Sequence, residues 1–368
     1  NLNDPALVRT LTTHAKDAVA WLVSLGADLN TVGRAGGAKY PRAHRPTDGS
    51  AIGPEVIRVL WKAAKDRKMD VRTQTRATEI IMKDGRVAGV KATTKDGKVY
   101  TIDAKAVVLA TGGFGANQDM LVKYQPKLKG YATTNQPGAT GDGIILAEHA
   151  GAALVDMKQI QAHPTAAPDG TLISESVRGD GGILINAEGK RFTNELLTRD
   201  VVSAAELKQP GRFAWVFWDD ATRKSAKLMD SYISMGLAVK GNTVAEIAKA
   251  MNVPAAELEA TLKAYAAGKA AGKDAFGRAD MPQAMQTAPF FAVKVQPAVH
   301  HTMGGVKIDT KAEVLNPAGH TIPGLFAAGE VTGGVHGGNR LGGNAQADIV
   351  TFGRIAGQSA DAYLKTAK

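Results

Sequence analysis

The sequence predicts an α/β fold that is interrupted by an inserted segment of different character. Two short apolar strands lie far apart in the chain, and each leads into a glycine-rich turn, at 111–113 and at 328–330. A buried parallel strand that ends in this way presents backbone N–H groups to a ligand at the carboxyl edge of its sheet. Between these strands, Ala-rich helical segments dominate over 158–300, so we expect the α/β part to be discontinuous in the chain.

The first part of the chain, 1–157, is predicted to begin with an amphipathic helix. Asp4 can cap this helix, apolar residues recur at helical spacing up to Leu25, and Gly26 is its expected end. Further helices are predicted at 53–66 and 142–150. Two Lys-Asp-Gly turns separate strands that we predict at 71–77, 86–93 and 98–102, and a buried strand follows at 105–110.

The rest of the chain divides into the inserted domain, 158–300, and a return to α/β character over 301–368. Helices of the inserted domain are predicted at 219–229, 243–251 and 255–269. After position 300, a strand leads into Gly329. The last helix is predicted to begin at Leu341 and to end near Thr366.

Composition excludes several classes of protein. Of the 368 residues, 44% are hydrophobic and 22% charged, as in ordinary globular domains. Because the chain has no cysteine, it can form no disulfide, thiolate metal site or cysteine-attached haem. The formal charge of +10 is dispersed along the chain, so we expect no nucleic-acid binding. No apolar run reaches the ~18 residues that a membrane span needs.

A glycine-rich segment, 333–345, surrounds Arg340 just before the last predicted helix. Glycines let the backbone pass close to a planar or anionic ligand, and a helix N-terminus adds partial positive charge. An arginine at this place can bind a carboxylate through two parallel hydrogen bonds. A flexible surface loop is the alternative interpretation.

Two histidine motifs are candidates for substrate contacts. His300 and His301 are adjacent, so only one of them can face a given pocket if they lie on a strand. A polar pair at a strand end is the alternative. His163 precedes a proline and is therefore expected to be extended, although a single histidine of this kind is more often a packing residue.

An acidic residue among arginines forms the remaining motif. Glu175 lies three residues before Arg178, and Arg199 follows downstream. A buried carboxylate between guanidinium groups can relay protons. Taken alone, this pattern is more often a structural ion pair.

Taken together, these motifs resemble the flavoprotein domain of soluble fumarate reductases of the flavocytochrome c type, in the succinate dehydrogenase/fumarate reductase superfamily. The matching segments run in family order over nearly the whole chain. They are 43–46, 110–114, 134–138, 161–165, 176–179, 198–200, 300–305, 329–334 and 339–345. The resemblance implies a discontinuous FAD-binding domain of the glutathione-reductase-like type, formed by 1–157 and 301–368. An inserted α+β clamp, or capping, domain over 158–300 completes the implied fold.

The resemblance also implies a reaction, the FAD-dependent reduction of fumarate to succinate by hydride transfer from flavin N5 and protonation by an arginine. Carried over by position, it assigns proton donation to Arg199, with Glu175 and Arg178 completing a relay. It assigns substrate binding to His163, Ser174, Glu175, His300 and Arg340.

The resemblance further implies the residues of two binding sites. The FAD-binding residues are Ala110, Thr111, Gly112, Gly113, Asp142, Glu330, Asn344 and Ala345. Among them, Glu330 resembles the residue that hydrogen-bonds the ribityl chain. A structural sodium ion is expected at the backbone carbonyls of Thr302, Met303, Gly304, Glu330 and Thr332, since carbonyl oxygens suit a hard cation. No haem is expected in this chain.

The printed sequence departs from the family pattern at three points. The family's βαβ unit with its Gly-x-Gly-x-x-Gly phosphate turn is not found in it, so we expect this chain by itself to hold FAD weakly. Ser174 stands where relatives carry threonine. Arg34 adds a cation near the implied substrate pocket and is predicted to influence substrate preference.

Two alternatives to fumarate reduction stay open at this point. One is the reduction of another 2-enoate, such as urocanate, and the other is an inactive apo fragment of such an enzyme. The implied partners are a small dicarboxylate substrate and, as electron donor, a cytochrome or haem domain. The resemblance also implies a soluble, periplasmic monomer that serves electron transport in anaerobic respiration.

Overall fold

Helices and strands alternate along the chain, as an α/β fold requires, in a computed structural model that describes residues 2–33, 35 and 38–367. Arg34 lies outside the described residues. The helices are α1 Pro5–Ser24, α2 Ile52–Asp66, α3 Gln118–Tyr124, α4 Asp142–His149, α5 Glu175–Gly179, α6 Arg199–Glu206, α7 Asp220–Ser225, α8 Leu228–Ser234, α9 Val244–Met251, α10 Ala255–Ala270 and α11 Asn344–Thr366.

The longest of the described strands is β13. The strands are β1 Thr31–Gly33, β2 Ala43–Arg45, β3 Thr75–Lys83, β4 Arg86–Thr94, β5 Val99–Asp103, β6 Val107–Leu109, β7 Ala132–Thr133, β8 Leu154–Val155, β9 Ile160–Ala166, β10 Ile183–Ile185, β11 Ala214–Asp219, β12 Ala238–Gly241, β13 Phe290–Thr302, β14 Gly305–Val306, β15 Glu313–Leu315 and β16 Thr321–Ala327. Two 3₁₀ turns, Pro126–Leu128 and Pro210–Arg212, complete the regular elements.

The first helix begins as predicted. The Asp4 carboxylate accepts a hydrogen bond from the backbone N–H of Ala6 at 2.8 Å, and Pro5 occupies the first turn, where its missing N–H costs nothing. Helices α1 and α2 then pack together, with Leu22, Val59 and Val350 of α11 in one apolar cluster.

The predicted strand meander is present as β3, β4 and β5 in that order. Lys83 pairs with Arg86, so Asp84 and Gly85 alone form the turn, with φ of 51° and 75°. A two-residue turn with both φ positive favours Asp-Gly. The predicted first strand, 71–77, was wrong at both ends, because pairing continues up to this turn and begins only at Thr75, opposite Thr94.

The two glycine-rich turns meet at one sheet edge. Strands β6 and β16 are parallel neighbours, with Leu109 opposite Ala327. The backbone N–H of Ala328 donates to the carbonyl of Leu109 at 3.0 Å, which extends the pairing into the turns. Because the carboxyl ends of parallel strands point the same way, the turns after 109 and after 327 face one site.

Strand β13 joins the inserted segment to the rest of the chain. Its first half pairs with β11 and β12, and its second half pairs with β9 and β7. Alternate residues of β11 lie in two different apolar clusters, Phe217 in one and Val216 in the other, so this sheet is buried on both faces. The predicted domain boundary after His300 lies inside β13.

Two predicted helices differ from the observed ones. The single helix predicted at 219–229 was wrong. Asp219 ends β11 and caps α7 by accepting a hydrogen bond from Thr222 N at 2.9 Å, and the helical structure is interrupted between α7 and α8. The last helix begins at Asn344 instead of Leu341, since Gly343 adopts a left-handed φ of 83°. None of the described helices combines the length and apolar character that a bilayer crossing requires.

Candidate active site

The predicted catalytic and substrate-binding side chains come together where β9, α5, α6 and the loop before α11 meet. Gln161 of β9 links them: its Oε1 accepts from Arg199 Nη1 at 2.8 Å, and its Nε2 donates to the Arg340 carbonyl at 2.7 Å. Sequence reasoning placed Gln161 in a matching segment without a role. Its bridging position depends on contacts between segments far apart in the chain, which no local pattern signals.

A buried ion pair lies at the centre of this region. Arg199, the first residue of α6, donates through Nε to Glu175 Oε2 at 2.8 Å, and both side chains are 8% exposed. A Cβ added at Gly342 would overlap the Glu175 carboxylate. The glycine therefore lets the loop before α11 lie directly against the ion pair.

Arg178 is brought near this pair without joining it. Its side chain is buried one turn after Glu175, and its Nη1 donates to the Glu195 carbonyl at 2.5 Å. Within the described part of the chain, no carboxylate lies within 4.0 Å of its guanidinium. Burial lowers the pKa of Arg178 to about 10, and the charge of Glu175 opposes this effect. The predicted relay thus has one direct hydrogen bond, between Arg199 and Glu175, and its Arg178 end stays a prediction.

His163 offers a hydrogen-bond donor that no described residue accepts from. The backbone N–H of Thr165 donates to its Nδ1 at 3.2 Å, which places the ring proton on Nε2. That Nε2 is buried and has no hydrogen-bond partner among the residues that the structure describes. Burial lowers the pKa of His163 well below its usual value, and the Arg199 charge adds to this, so the ring is neutral.

The two adjacent histidines face different neighbours, as expected of a strand. The His300 ring lies 5.1 Å from that of His163 between centroids, and its Nδ1 is 2.7 Å from Thr134 Oγ1. His301 lies on the other side, with Nδ1 3.2 Å from Glu330 Oε2. Burial, followed by the charges of Arg199 and Arg340, lowers the pKa of His300.

Arg340 is buried, and it forms no ion pair with any carboxylate of the described residues. It is 5% exposed, its Nη1 donates to the Leu341 carbonyl at 3.1 Å, and its Nε has no partner among the described residues. No carboxylate of that part of the chain lies within 4.0 Å of it. Burial lowers the pKa of Arg340 to about 10. A guanidinium in this state is stabilised by an anion that enters from outside the protein.

Ser174 serves first as the cap of α5. Its Oγ accepts from Ser176 N at 3.3 Å, and its own N–H donates to the hydroxyl of Tyr232 at 2.9 Å. No local pattern signals the role of Tyr232, which reaches Ser174 from α8. The predicted contact between Ser174 and a substrate stays a prediction.

The predicted FAD-binding residues lie at the shared edge of β6 and β16. A Cβ at Gly113 would overlap Thr302 Oγ1, and it would lie 2.8 Å from Glu330 Oε1. Helix α11, which begins with Asn344 and Ala345, has no side-chain cap. The backbone N–H groups of Asn344 and Gln346 donate to the carbonyls of Leu341 and Gly343 at 3.3 and 3.1 Å, so a bound ring would meet the partial positive charge of the helix start. These two features fit a flat cofactor that approaches the backbone closely.

Glu330 and Asp142 are both held in place near this edge. Thr302 N donates to Glu330 Oε1 at 2.9 Å. Although burial raises it, the hydrogen bond from His301 brings the pKa of Glu330 below its usual value, so the carboxylate is ionised. Asp142 begins α4 and binds Arg76 at 2.8 Å. The remaining predicted residues of the turn are Ala110, Thr111 and Gly112.

The two segments of the predicted sodium site run side by side. Val306 N donates to the Val331 carbonyl at 2.8 Å, and Gly333 N donates to the Val306 carbonyl at 3.0 Å. This brings the segment of Thr302, Met303 and Gly304 next to that of Glu330 and Thr332, and the ion itself stays a prediction. No group of three or more acidic or histidine side chains in the described chain is arranged to hold a metal ion.

Comparisons with known proteins agree on one family. The FAD-binding domain family matches residues 1–345. The chain is 49% identical to a protein named fumarate reductase (cytochrome) from Shewanella frigidimarina, over 99% of this chain and 64% of that protein. It is 36% identical to a urocanate reductase from Eggerthella lenta, over 98% of this chain and 62% of that protein.

A solved structure agrees with this assignment. The open conformation of a flavocytochrome c3 fumarate reductase matches with a TM-score of 0.82 and 49% identity, over 98% of this chain and 65% of that one. The chain spans less than two thirds of the length of each of these three relatives.

Proposed function

The chain belongs to the FAD-binding flavoprotein family that includes the fumarate reductases, and from this premise we propose that it reduces fumarate to succinate. The observation that carries the proposal is Arg340, a buried guanidinium with no acidic partner among the described residues, beside His300 and Arg199. Among the described residues, Glu175 is the carboxylate that forms an ion pair with one of these arginines, Arg199. A dicarboxylate supplies the missing negative charge.

The FAD site proposed here is formed by the turn at 111–113, Glu330 and the start of α11. Bound there, FAD supplies the hydride. Arg340 holds one substrate carboxylate and polarises the double bond, because negative charge that develops next to it is stabilised by a fixed positive charge. His300 lies beside Arg340 and is neutral, so it can donate or accept without adding a further charge.

Arg199 is the proposed proton donor to the second alkene carbon. A guanidinium is a weak acid, with a pKa above ~12 in water, so it can protonate a carbanion-like centre only if its proton is restored at once. Glu175, at 2.8 Å from Nε, is placed to return that proton. Arg178 is the next group of the proposed relay. Burial lowers the pKa of its guanidinium, and the negative charge of Glu175 raises it.

The choice between fumarate and urocanate depends on the second end of the substrate. The neutral ring of His163 presents Nε2–H, a donor that suits a carboxylate oxygen. Urocanate carries an imidazole at this end, whose own N–H would compete with that donor. We therefore favour fumarate, and urocanate reduction is the second candidate because a reductase of that substrate is 36% identical to the chain.

We propose three further properties on the same premise. The chain divides into a flavin domain, 1–157 and 301–368, and a clamp domain, 158–300, which has apolar clusters of its own. The electron donor is a cytochrome or haem domain, as the name of the Shewanella relative suggests. The protein is a periplasmic monomer with a structural sodium ion.

Substrate competition tests this function. A reduced dye supplies electrons to the FAD-loaded protein. The turnover of fumarate, of urocanate and of a 2-enoate with a single carboxylate is then compared. We expect fumarate to give the highest kcat/KM. In His163→Leu this value should fall for fumarate and stay unchanged for the monocarboxylate. A wild-type preference for urocanate would favour the second candidate, and no turnover of any 2-enoate would favour the inactive-fragment alternative.

A further inference from the structure

The loop that carries Arg340 has glycines on both sides. Gly337 and Gly343 adopt left-handed backbone angles, with φ of 60° and 83°. Among the described residues, no hydrogen bond between two backbone groups holds the segment 335–340 in place. Glycine gives the unfolded chain conformational freedom that must be lost when the loop is ordered. Arg340 can therefore bind a substrate at a defined place only if side chains fix this loop.

Asn339, the residue before Arg340, provides two such side-chain contacts. Its Nδ2 donates to Asp200 Oδ1 at 2.7 Å, and its Oδ1 accepts from Gln161 Nε2. The same Nε2 also donates to the Arg340 carbonyl at 2.7 Å. Both polar ends of the Asn339 amide are thus used, and each end binds a segment that is far away in the chain.

Asp200 follows directly after Arg199, the proposed proton donor. Both residues lie in the first turn of α6, where Arg199 is buried and Asp200 is exposed. Arg199 Nη1 donates to Gln161 Oε1 at 2.8 Å. The contacts therefore close a hydrogen-bond ring of four residues, listed in order as Arg199, Gln161, Asn339 and Asp200. This ring joins the start of α6 to the loop of Arg340.

Asp200 could also act through its charge alone. A carboxylate in the first turn of a helix interacts favourably with the helix dipole, and this role needs no particular partner. Asp119 has the same position in α3, since it is the second residue of that helix and is exposed. Asp200 also accepts a hydrogen bond from a residue 139 positions away in the chain. This contact indicates a role beyond the stabilisation of α6.

We propose that Asp200 and Asn339 are positioning residues that hold Arg199 at a fixed place relative to Arg340. This rests on the proposed function, in which one arginine binds the substrate and the other protonates it. A catalytic arrangement has to be held to within about 0.5 Å of its productive geometry, and a misplacement of ~1 Å can lower a rate by about 10²-fold. Asp200 and Asn339 act through the two arginines and not on the substrate.

The activity test is a double-mutant cycle in the FAD-loaded protein. In Asp200→Ala and in Asn339→Ala we expect kcat/KM for fumarate to fall by about tenfold, because either change frees the loop. The double variant should be no slower than Asn339→Ala, since the contact that Asp200→Ala removes is already lost there. An unchanged kcat/KM in the single variants, or effects that multiply in the double variant, would overturn the proposal.

Two further variants separate positioning from the effect of charge on α6. Asp200→Asn keeps an oxygen that can accept from Asn339 and removes the charge, so it should keep most of the wild-type kcat/KM. Asp119→Ala is the matched control and should leave kcat/KM unchanged. If Asp200→Asn were as slow as Asp200→Ala, the charge would matter and not the hydrogen bond, and the proposal would be wrong.

A second readout does not depend on turnover. Trypsin cleaves after arginine where the backbone opens locally, so cleavage between Arg340 and Leu341 reports how firmly the loop is held. Mass spectrometry should show this cleavage to be about tenfold faster in Asp200→Ala and Asn339→Ala than in the wild type and in Asp119→Ala. Equal rates in all four proteins would overturn the proposal. A wild-type protein that does not reduce fumarate would contradict the proposed function alone, and the cleavage rates would still show whether the hydrogen-bond ring holds the loop.

Discussion

Two buried arginines of the site differ in how their charge is balanced, and this difference separates their roles. Arg199 lies on Glu175 at 2.8 Å, so a proton that it loses can be replaced from its neighbour. Arg340 has only the Leu341 carbonyl within hydrogen-bond distance among the described residues. Its charge is therefore free to bind a carboxylate. We therefore propose that Arg199 takes part in the reaction and that Arg340 binds the substrate.

Replacing Arg199 should remove chemistry more than binding. In Arg199→Ala we expect kcat for fumarate to fall by about 10²–10⁴-fold with little change in KM, because general acid catalysis contributes this much to a rate. Steady-state kinetics with a dye-reduced protein measure both constants. Arg9→Ala, an exposed arginine of α1, is the control. Near-normal turnover in Arg199→Ala would show that another group donates the proton.

Replacing Arg340 by lysine should weaken substrate binding more than it slows the reaction. Lysine keeps the charge and loses the two parallel donors of the guanidinium, and a hydrogen bond to a charged group contributes about 1.5–3 kcal/mol. We expect KM for fumarate to rise roughly 10- to 100-fold in Arg340→Lys, with a smaller effect on kcat. The same kinetic assay provides the test. A KM equal to that of the wild type would remove Arg340 from the substrate site.

At the scale of elements, the start of α11 depends on a glycine that contacts the ion pair. A methyl group at Gly342 would overlap Glu175. We therefore expect Gly342→Ala to displace the carboxylate and to lower kcat by about tenfold or more. Gly353→Ala is the matched control, because a Cβ at this exposed position within α11 meets nothing within 4 Å.

The control variant has an expected effect of its own. Alanine favours a helix interior over glycine, so Gly353→Ala should leave kcat unchanged and stabilise the protein by about 0.5–1 kcal/mol. Thermal unfolding measures this change. If Gly342→Ala kept the wild-type kcat, the close packing of its loop on Glu175 would have no functional role.

A buried ion network of Arg278, Glu195 and Arg191 contacts the backbone of Arg178. Arg278 donates to Glu195 Oε2 at 3.0 Å and to the Arg178 carbonyl at 2.9 Å, and Glu195 also binds Arg191 at 2.8 Å. Removing Arg278 takes one of two guanidinium partners from the buried Glu195 and leaves Arg191 as the other. Arg278 therefore fixes both the backbone of α5 and the loop that leads to α6.

The variant Arg278→Met tests this network. We expect the free energy of unfolding to fall by about 3–5 kcal/mol, because Glu195 loses a buried partner. Urea unfolding provides the measurement. Lys263→Ala, which breaks an exposed ion pair with Glu259, should leave the stability unchanged. If the free energy of unfolding were also unchanged in Arg278→Met, the network would be dispensable for the fold.

At the scale of the whole molecule, the buried histidines make stability depend on pH. The folded-state pKa of His163 is lowered from 6.5, mainly by burial. Below pH 6.5 the unfolded chain therefore takes up a proton that the folded protein does not, and stability falls as the pH falls. His300 and His301 act in the same direction.

This linkage predicts a difference between two variants as acid is added. The unfolding temperature of the wild type should decrease below pH 6.5, and that of His163→Gln should decrease less steeply. His14, an exposed histidine of α1, provides the control variant His14→Gln, whose pH dependence should match that of the wild type. Parallel curves for all three proteins would contradict a neutral, buried His163.

Much of this architecture could be predicted from local sequence signals. Asp4 caps α1 and Asp84-Gly85 forms a hairpin turn, because these features depend on neighbouring residues only. The division of β13 between two sets of partners could not be predicted, since it depends on strands far away in the chain. The break between α7 and α8 was missed for a similar reason: Asp219 belongs to a buried strand that the helical pattern concealed.

In the candidate site, too, residue types could be predicted locally and contacts between distant segments could not. Motifs singled out Arg199, Glu175 and Arg340 as candidates, and the resemblance to the family implied their roles, which stay predictions. The contacts that orient them could not be predicted, among them the bridge through Gln161. These depend on the packing of β9 and α6, which only the folded chain determines.

The most direct test of fumarate reduction is the reoxidation of the reduced FAD-loaded protein in the absence of oxygen. Fumarate is added to the fully reduced protein, the flavin absorbance is followed, and succinate is measured at the end. We expect the oxidised flavin spectrum to return with one succinate formed per flavin, and we expect Arg199→Ala to stay reduced. A wild-type flavin that stays reduced with fumarate, or that reoxidises without forming succinate, would contradict the proposed function.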